Sequence, residues 1–210
     1  MIATLFGGGL SGQVDTLLTL ILDEIRYSGC KQVLLIPFAR LDYTKEPEWH
    51  TNWYHEYFDL KAPEIEFLDA RRNDDLAKAS NSLIYLSGGI EKELLLNSIT
   101  GNTKLKKLVY SAPYIVAESG GAMALGQYSR KTIAGAGFVP GLGILADTII
   151  EPHFIEKNRH DQLVREMNEL DLTFGIGVDS NSGIRIDTSK PYGKATLLGN
   201  KKVEILTVSK

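Results

Sequence analysis

The sequence predicts an α/β protein whose mostly parallel central sheet carries helices on both faces and antiparallel strands at its C-terminal edge. In the first half, segments that are apolar throughout, such as residues 32–37, alternate with longer segments of helical periodicity, such as residues 14–28. A strand that is apolar at every position is buried on both faces, as the strands of a parallel sheet are. From residue 174 onward the predicted strands follow one another without helices, which favours antiparallel pairing.

The elements of the first half are defined by their periodicity and by the residues that end them. Residues 14–28 carry an apolar stripe at helical spacing, and Gly29 supplies a helix stop. We predict strands at residues 2–6, 32–37, 65–68, 82–86 and 114–117, and helices at residues 14–28, 73–79, 91–97 and 104–110. Their regular alternation predicts a parallel sheet.

The second half is less regular. Residues 134–143 contain four glycines and a proline, which indicates a loop or an irregular hairpin. We predict a helix at residues 158–170 and strands at residues 147–151, 174–178, 183–186, 195–198 and 203–208. Gly199-Asn200 predicts a two-residue hairpin turn between the last two strands.

Residues 46–58 concentrate aromatic side chains among charged ones and are predicted to be helical. The aromatic residues of this segment are Trp49, Trp53, Tyr54, Tyr57 and Phe58. Core packing is the simpler interpretation, and a subunit interface or a wall of the active site is the alternative. The interface interpretation leaves a homodimer open.

The composition indicates one globular domain and excludes several classes of function. The chain has 210 residues, of which 43% are hydrophobic, enough for one domain to bury a core. The net charge is −3 and the basic pairs Arg71-Arg72 and Lys201-Lys202 are isolated, so nucleic acid is not expected as a partner. Cys30 is the single cysteine, which excludes an internal disulfide and a cysteine zinc cluster.

Targeting and cofactor motifs are also missing from the sequence. The N-terminus lacks the basic region of a signal sequence, and no apolar segment has membrane-spanning length. We therefore expect a soluble cytoplasmic protein that does not contact a membrane. The Gly7-Gly8-Gly9 turn lacks the spacing of a nucleotide-binding motif and no metal-ligand cluster stands out, so no cofactor or metal is expected.

The most informative segment for function is residues 114–124. An apolar strand ends at Ser119, and Gly120-Gly121 and a run of helix formers follow directly. This pattern predicts a nucleophile elbow, in which a strained turn exposes the serine hydroxyl and requires small neighbours. The alternative is an ordinary turn with Ser119 as the helix N-cap.

A serine nucleophile needs a base and hydrogen-bond donors for the oxyanion. Of the four histidines, His153 is the best candidate base, because it follows a predicted strand and Pro152 restricts the chain before it. The alternative is a structural histidine at a strand end. The N–H of Gly120 lies at the start of a predicted helix and can bind the oxyanion, and a second donor is expected from Gly88 or Gly89.

Four motifs resemble the dipeptidase E and cyanophycinase family of serine peptidases. They are Tyr85–Gly89, Glu118–Ala122, Glu151–Phe154 with Arg159, and Gly175–Asp179. Their order and spacing resemble the family from residue 2 to about residue 186. The resemblance implies a three-layer α/β sandwich of the class I glutamine amidotransferase-like fold, with residues 1–210 as a single peptidase domain.

The resemblance also implies roles for individual residues. Ser119 matches the nucleophile and His153 the general base, while Gly89 and Gly120 match the oxyanion loop. Arg159 matches an arginine that holds the acidic side chain of the substrate, and a guanidinium suits a carboxylate. An ordinary helix-surface residue is the alternative for Arg159. Gly88 is expected to contact the substrate beside the oxyanion loop.

The third, acidic residue of the family is missing from its usual region, here Ala134–Gly137. Glu151 is the substitute that we predict, because alternate residues of a strand share a face and Glu151 therefore lies on the side of His153. Asp147 and Asp179 are alternatives, as are a catalytic dyad and a degenerate site.

The resemblance thus implies a serine peptidase that hydrolyses short peptides, in particular Asp-Xaa dipeptides, through a Ser119 acyl-enzyme. Its expected partner is a small peptide substrate. Two alternatives stay open. A degenerate protein of the same fold would bind or regulate without turnover, and a cyanophycinase-like enzyme would cleave β-aspartyl peptides.

Overall fold

The computed structural model describes residues 1–9, 14–40, 57–133, 135, 137–190 and 195–208. Its strands are β1 Ile2–Phe6, β2 Gln32–Ile36, β3 Glu66–Asp69, β4 Leu83–Leu86, β5 Tyr114–Glu118, β6 Tyr128–Arg130, β7 Phe138–Pro140, β8 Thr148–Pro152, β9 Phe174–Val178, β10 Ser182–Asp187, β11 Thr196–Gly199 and β12 Val203–Thr207. Its helices are α1 Val14–Ser28, α2 Asn73–Lys78, α3 Lys92–Gly101, α4 Thr103–Ser111, α5 Gly120–Met123 and α6 His160–Glu169. Residues 57–61 are also helical.

A seven-stranded sheet forms the centre of the molecule, in the order β11-β10-β1-β5-β4-β2-β3. The strands from β1 to β3 along this order are parallel. β10 and β11 extend the sheet beyond β1 with antiparallel pairing. This arrangement confirms the predicted fold class, including the antiparallel strands near the C-terminus.

Helices cover both faces of this sheet. Val33 and Leu35 of β2 pack with α1 on one face, whereas Leu34 and Ile36 pack with α3 and α4 on the other. All four side chains are at most 3% exposed. The parallel strands are therefore buried on both faces, which explains why their sequences are apolar throughout.

A second, three-stranded sheet has the order β12-β9-β8. β8 and β9 are parallel, and β12 is antiparallel to β9. The predicted hairpin between the last two strands is wrong, because β11 pairs with β10 and β12 pairs with β9. Gly199 does turn the chain, with a φ of 60°, but the turn leads from one sheet into the other.

The glycine-rich region and the aromatic segment are only partly described. β6 and β7 form a short antiparallel pair, which agrees with an irregular hairpin, while residues 134 and 136 lie outside the described residues. Most of the aromatic segment, residues 46–56, also lies outside them. Phe58 is buried and stacks on Phe67 at a ring-centroid distance of 4.8 Å, so this residue packs in the core.

The ends of the parallel strands determine where a site can form. β1 and β5 end in register, with Phe6 beside Glu118. The loops that begin at Gly7, Ser87 and Ser119 therefore leave the sheet at the same edge. Within the described residues, no helix combines the length and the apolar character needed to cross a bilayer.

Candidate active site

Ser119 lies in a strained turn between β5 and α5. Its φ is 47° and its ψ is −116°, a combination that side chains other than glycine rarely adopt. The N–H of Ser119 donates to Phe6 O at 2.8 Å, which fixes the turn against the end of β1. The side chain makes no capping hydrogen bond to α5, so the alternative of an ordinary N-cap serine does not describe this turn.

The glycines after Ser119 are required by close backbone contacts. A Cβ on Gly120 would lie 2.0 Å from Gly89 O, and one on Gly121 would lie 2.5 Å from Leu86 O. Such distances are far below van der Waals contact, so only glycine lets α5 start this close to the loop after β4. This is the packing reason for the Ser-Gly-Gly pattern.

Three backbone N–H groups near Ser119 differ in their hydrogen bonding within the described residues: one donates to a protein acceptor, and two do not. Gly88 N donates to Glu118 Oε1 at 2.9 Å, and the hydroxyl of Tyr85 donates to the same oxygen at 2.9 Å. Within the described part of the chain, the N–H groups of Gly89 and Gly120 donate to no protein acceptor. These two groups, which the sequence singled out, are therefore available to a ligand.

His153 lies directly after β8 and approaches Ser119 across a glycine. Gly8 has a φ of 104°, and a Cβ built on it would lie 3.1 Å from His153 Nε2 and 3.3 Å from Ser119 Cβ. The imidazole and the serine therefore flank the same point at the sheet edge. His160 lies at the start of α6 beside Asp161, and His50 and His55 lie outside the described residues.

The other ring nitrogen of His153 contacts two residues that the sequence reasoning did not select. His153 Nδ1 lies 2.8 Å from Ser180 Oγ and 3.1 Å from Glu156 Oε2. Ser180 Oγ also donates to Glu156 Oε2 at 2.8 Å. The carboxylate and the hydroxyl together hold the imidazole so that Nε2 faces the serine side.

Glu156 is suited to this position as an ionised group. Partial burial raises the pKa of its carboxyl, but the hydrogen bonds from Ser180 and His153 outweigh that effect and hold the pKa below its usual range. Glu156 therefore stays negatively charged near neutral pH. Asp179 supports the same turn, because its Oδ1 accepts hydrogen bonds from the N–H groups of Ile155 and Glu156.

The structure corrects the assignment of Glu151 as the residue that orients His153. The carboxylate of Glu151 is buried and forms an ion pair with Arg130, and it lies 3.8 Å from Arg159 Nε. The prediction failed because it assumed that the strand continues through His153. β8 ends at Pro152 and His153 has a φ of 55°, so the imidazole points elsewhere.

The two alternative acids, Asp147 and Asp179, hold segments of the backbone in place. Asp147 Oδ1 accepts a hydrogen bond from Thr173 N at 2.9 Å, which ties the start of β8 to the start of β9. Asp179 holds the 155–156 turn, as described above. Neither of these contacts is made to a ring nitrogen of His153.

Arg159 lies just before α6 and faces the site. Its Nη1 donates to Gln162 Oε1, and its side chain is 39% exposed. Gln162 in turn donates to Glu166, which also binds Arg130 at 2.5 Å. Burial raises the pKa of the Glu151 carboxyl above its ordinary value, although the neighbouring guanidinium of Arg130 acts to lower it.

These residues surround one cavity of about 510 Å³ at the edge of the sheet. Gly88, Gly89, Ser119, His153 and Arg159 all line it. Its basic lining residues are Arg40, Lys92, Arg130, Lys131, Lys157 and Arg159, against the acidic Glu118 and Glu151. The excess of basic residues favours an anionic ligand.

Sequence reasoning missed this basic lining and the pair of Glu156 and Ser180. Glu156 had a weak signal, because it lies three residues after His153 in a segment that leaves a strand. Ser180 had none, since it lies 27 positions from His153 and depends on the pairing of β8 with β9. No group of three or more His, Cys, Asp or Glu residues suited to a metal occurs among the described residues.

In sequence, the chain is similar to the cyanophycinases of Synechococcus elongatus and Thermosynechococcus vestitus. Each alignment is 27% identical over 204 positions and covers 86% of this chain. The match spans 60% of the length of each of these relatives. No family model matches the sequence.

In fold, the chain is similar to a peptidase from an acI-B1 Actinobacterium, with a TM-score of 0.66 and 23% identity over 98% of this chain and 90% of that one. It is also similar to a candidate peptidase E from Listeria monocytogenes EGD-e, with a TM-score of 0.56 and 14% identity over 99% and 98% of the two chains. These similarities confirm the fold class and the resemblance to peptidase E and cyanophycinase-type proteins.

Proposed function

We propose that this chain is a serine peptidase that hydrolyses short peptides at an aspartyl residue, with Ser119 as the nucleophile and His153 as the general base. One observation carries the proposal. Three features lie together at one edge of the sheet: the strained serine turn, the imidazole of His153 and the unused N–H groups of Gly89 and Gly120. The cavity beside them is lined by several basic side chains. This combination is what acyl transfer by a serine requires.

The first half of the proposed reaction acylates the enzyme. Ser119 Oγ attacks the carbonyl carbon of the aspartyl residue while His153 Nε2 takes the hydroxyl proton. The N–H groups of Gly89 and Gly120 bind the oxyanion of the tetrahedral intermediate. When the intermediate collapses, the C–N bond breaks and His153 gives the proton to the leaving amine.

The second half regenerates the serine. A water molecule attacks the acyl carbon, and His153 takes one of its protons. The bond from Ser119 Oγ to the acyl carbon then breaks, the proton returns to Oγ, and the product leaves as a free acid. Glu156 and Ser180 act as positioning residues, since they contact His153 Nδ1 and not the reacting atoms.

The basic lining supports an acidic substrate. Arg159 lines the cavity together with Ser119 and is partly exposed, so its guanidinium can meet a carboxylate of the peptide. The ion pair with Glu151 on one side of the guanidinium and the bond to Gln162 on the other hold this side chain in place. An aspartyl side chain is the acidic group that the resemblance implies for this position.

The test combines active-site labelling with a matched variant. A fluorophosphonate probe is expected to label the wild-type protein but not Ser119→Ala, and the wild type is expected to hydrolyse Asp-Leu. Ser111→Ala, at an exposed serine at the end of α4, is the control and should retain both properties. Absence of labelling, or equal hydrolysis by the wild type and Ser119→Ala, would show instead a degenerate protein.

A second candidate is a β-aspartyl peptidase, which the sequence similarity to cyanophycinases favours. A β-aspartyl peptide also carries a free carboxylate beside the scissile bond, so the basic cavity supports both candidates. Comparing kcat/KM for Asp-Leu, β-Asp-Leu and Ala-Leu separates them. Equal values for Asp-Leu and Ala-Leu would remove the role proposed for Arg159.

A further inference from the structure

We propose that Lys92 is a second cationic residue of the carboxylate subsite and acts together with Arg159 to select an acidic over a neutral substrate side chain. This inference rests on the proposed peptidase function and extends it to a residue that no motif singled out. The supporting observations are the position of Lys92, its burial and the contacts that nearby carboxylates make with other residues.

Lys92 lies at the edge of the site. It begins α3, directly after the loop that carries Gly88 and Gly89, and lines the same cavity as Ser119 and Arg159. A cation at this position borders the cavity in which the substrate of Ser119 would bind.

Lys92 is largely buried, and among the described residues its ammonium has no carboxylate partner. The residue is 9% exposed, and its Nζ donates to Ile90 O at 3.2 Å. Within the described ranges, no carboxylate lies at ion-pair distance from it. The nearby Glu93 is engaged elsewhere, because its Oε2 accepts hydrogen bonds from the N–H and the hydroxyl of Thr132.

Of the remaining nearby carboxylates, two are held by arginines, and Glu91 acts on Lys92 electrostatically from the preceding position. Glu151 forms an ion pair with Arg130 and lies 3.8 Å from Arg159. Glu166 binds Arg130 through both oxygens. Lys92, Glu151 and Arg159 line the same cavity, and Glu151 acts electrostatically on Lys92 as Arg159 does on Glu151.

A buried ammonium that lacks a carboxylate is costly unless a ligand supplies one. Burial lowers the pKa of Lys92, in line with an incomplete environment. A substrate carboxylate placed between Lys92 and Arg159 would offset this cost. Because Lys92 and Arg159 line the same cavity, the same carboxylate can meet both, and this is the aspartyl side chain that Arg159 is proposed to hold.

The experiment compares Asp-Leu with Asn-Leu, which has the same shape but no side-chain charge. We expect Lys92→Gln to lower the ratio of kcat/KM for Asp-Leu to that for Asn-Leu by about 10- to 100-fold, the usual effect of losing a charged hydrogen bond. The loss should appear mainly in KM. Lys92→Arg should restore part of the ratio, and Lys107→Gln, at an exposed lysine of α4, should leave it unchanged.

An unchanged ratio in Lys92→Gln, or an equal loss for both dipeptides, would overturn the inference. Binding of the two dipeptides to Ser119→Ala, with and without Lys92→Gln, gives the same comparison without turnover. If the wild type cleaves neither dipeptide, the proposed function fails, and the binding ratio still decides the role of Lys92. Thermal unfolding of each variant identifies those that do not fold, and Lys92→Arg then serves as the conservative test.

Discussion

Ser119 and His153 both have left-handed φ values, of 47° and 55°. Such conformations cost about 1–3 kcal/mol each for residues other than glycine, so surrounding contacts must hold them. Phe6 O accepts the N–H of Ser119, and Asp179 accepts two N–H groups of the turn after His153. At the residue scale, the geometry of the proposed site thus depends on contacts from neighbouring strands.

The first prediction concerns the residue that orients the imidazole. Glu156→Gln removes the charge that faces His153 Nδ1 but keeps a polar side chain of similar size. We expect kcat for Asp-Leu to fall by about 10- to 100-fold, less than the roughly 10²- to 10⁴-fold contribution of a general base, because Ser180 still contacts Nδ1. Steady-state kinetics at neutral pH measures the effect.

Two variants make this prediction specific. Glu204→Gln, at an exposed position on β12, is the control and should have wild-type kcat. Glu151→Gln should act through Arg159 and raise KM more than it lowers kcat. A kcat for Glu156→Gln equal to that of the control would show that Glu156 does not position the base.

The second prediction concerns stability and pH at the same residue. The pKa of Glu156 in the folded protein lies below its ordinary value of 4.5, so its hydrogen bonds stabilise the fold when the pH is above that value. The contribution is lost as the pH falls from 4.5 through the folded-state pKa. Urea unfolding of the wild type and Glu156→Gln should therefore give a constant difference near neutral pH that shrinks in this acidic range. A difference that grows on acidification would contradict the direction of the shift.

At the scale of elements, the approach of α5 to the loop after β4 sets the oxyanion site. The third prediction is that Gly120→Ala nearly abolishes hydrolysis of Asp-Leu, because the new Cβ would lie 2.0 Å from Gly89 O and push the two donors apart. Overpacking of this kind also destabilises a protein by about 1–3 kcal/mol. Kinetics and thermal unfolding measure the two effects.

The control is Gly101→Ala at the end of α3, where a Cβ would meet nothing within 4 Å. It should keep wild-type activity and stabilise the protein by roughly 0.5–1 kcal/mol, since alanine favours a helix. Normal activity of Gly120→Ala would show that the contact between α5 and this loop does not control the donors.

At the scale of the whole molecule, the turn after β11 joins the two sheets, because β11 extends the large sheet and β12 completes the small one. Gly199 makes this turn with a φ of 60°, and its Cβ position would lie 2.2 Å from Asn181 O. Asn181 follows Ser180 in sequence, so the turn at Gly199 contacts the residue next to one that contacts His153.

The fourth prediction compares two glycines of positive φ. Gly199→Ala should lower the free energy of unfolding by more than the roughly 1–2 kcal/mol of a left-handed alanine, because it also clashes with Asn181. Gly29→Ala, with a φ of 72° and open space at the Cβ position, should cost only the conformational part. Urea unfolding measures the free energy of unfolding of both variants. An equal decrease in the two would show that the turn between the sheets moves enough to accommodate the added methyl group.

The sequence by itself determined the features that depend on neighbouring residues. The apolar strands and the stripe of α1 reflect backbone geometry within a few positions, and so the parallel sheet could be predicted. The Ser119-Gly120-Gly121 pattern also marked the turn, although the contacts that require its glycines come from the loop after β4. The candidate base could be named because His153 follows a strand that ends at this edge.

Only the tertiary structure decided what meets across the chain. It placed Glu156 and Ser180 on the imidazole, moved Glu151 to the arginines and sent β11 and β12 to different sheets. It also gathered six basic residues around one cavity. The physical reason is that strand pairing and a single left-handed residue decide which side chains become neighbours, and local sequence patterns specify neither partner nor direction.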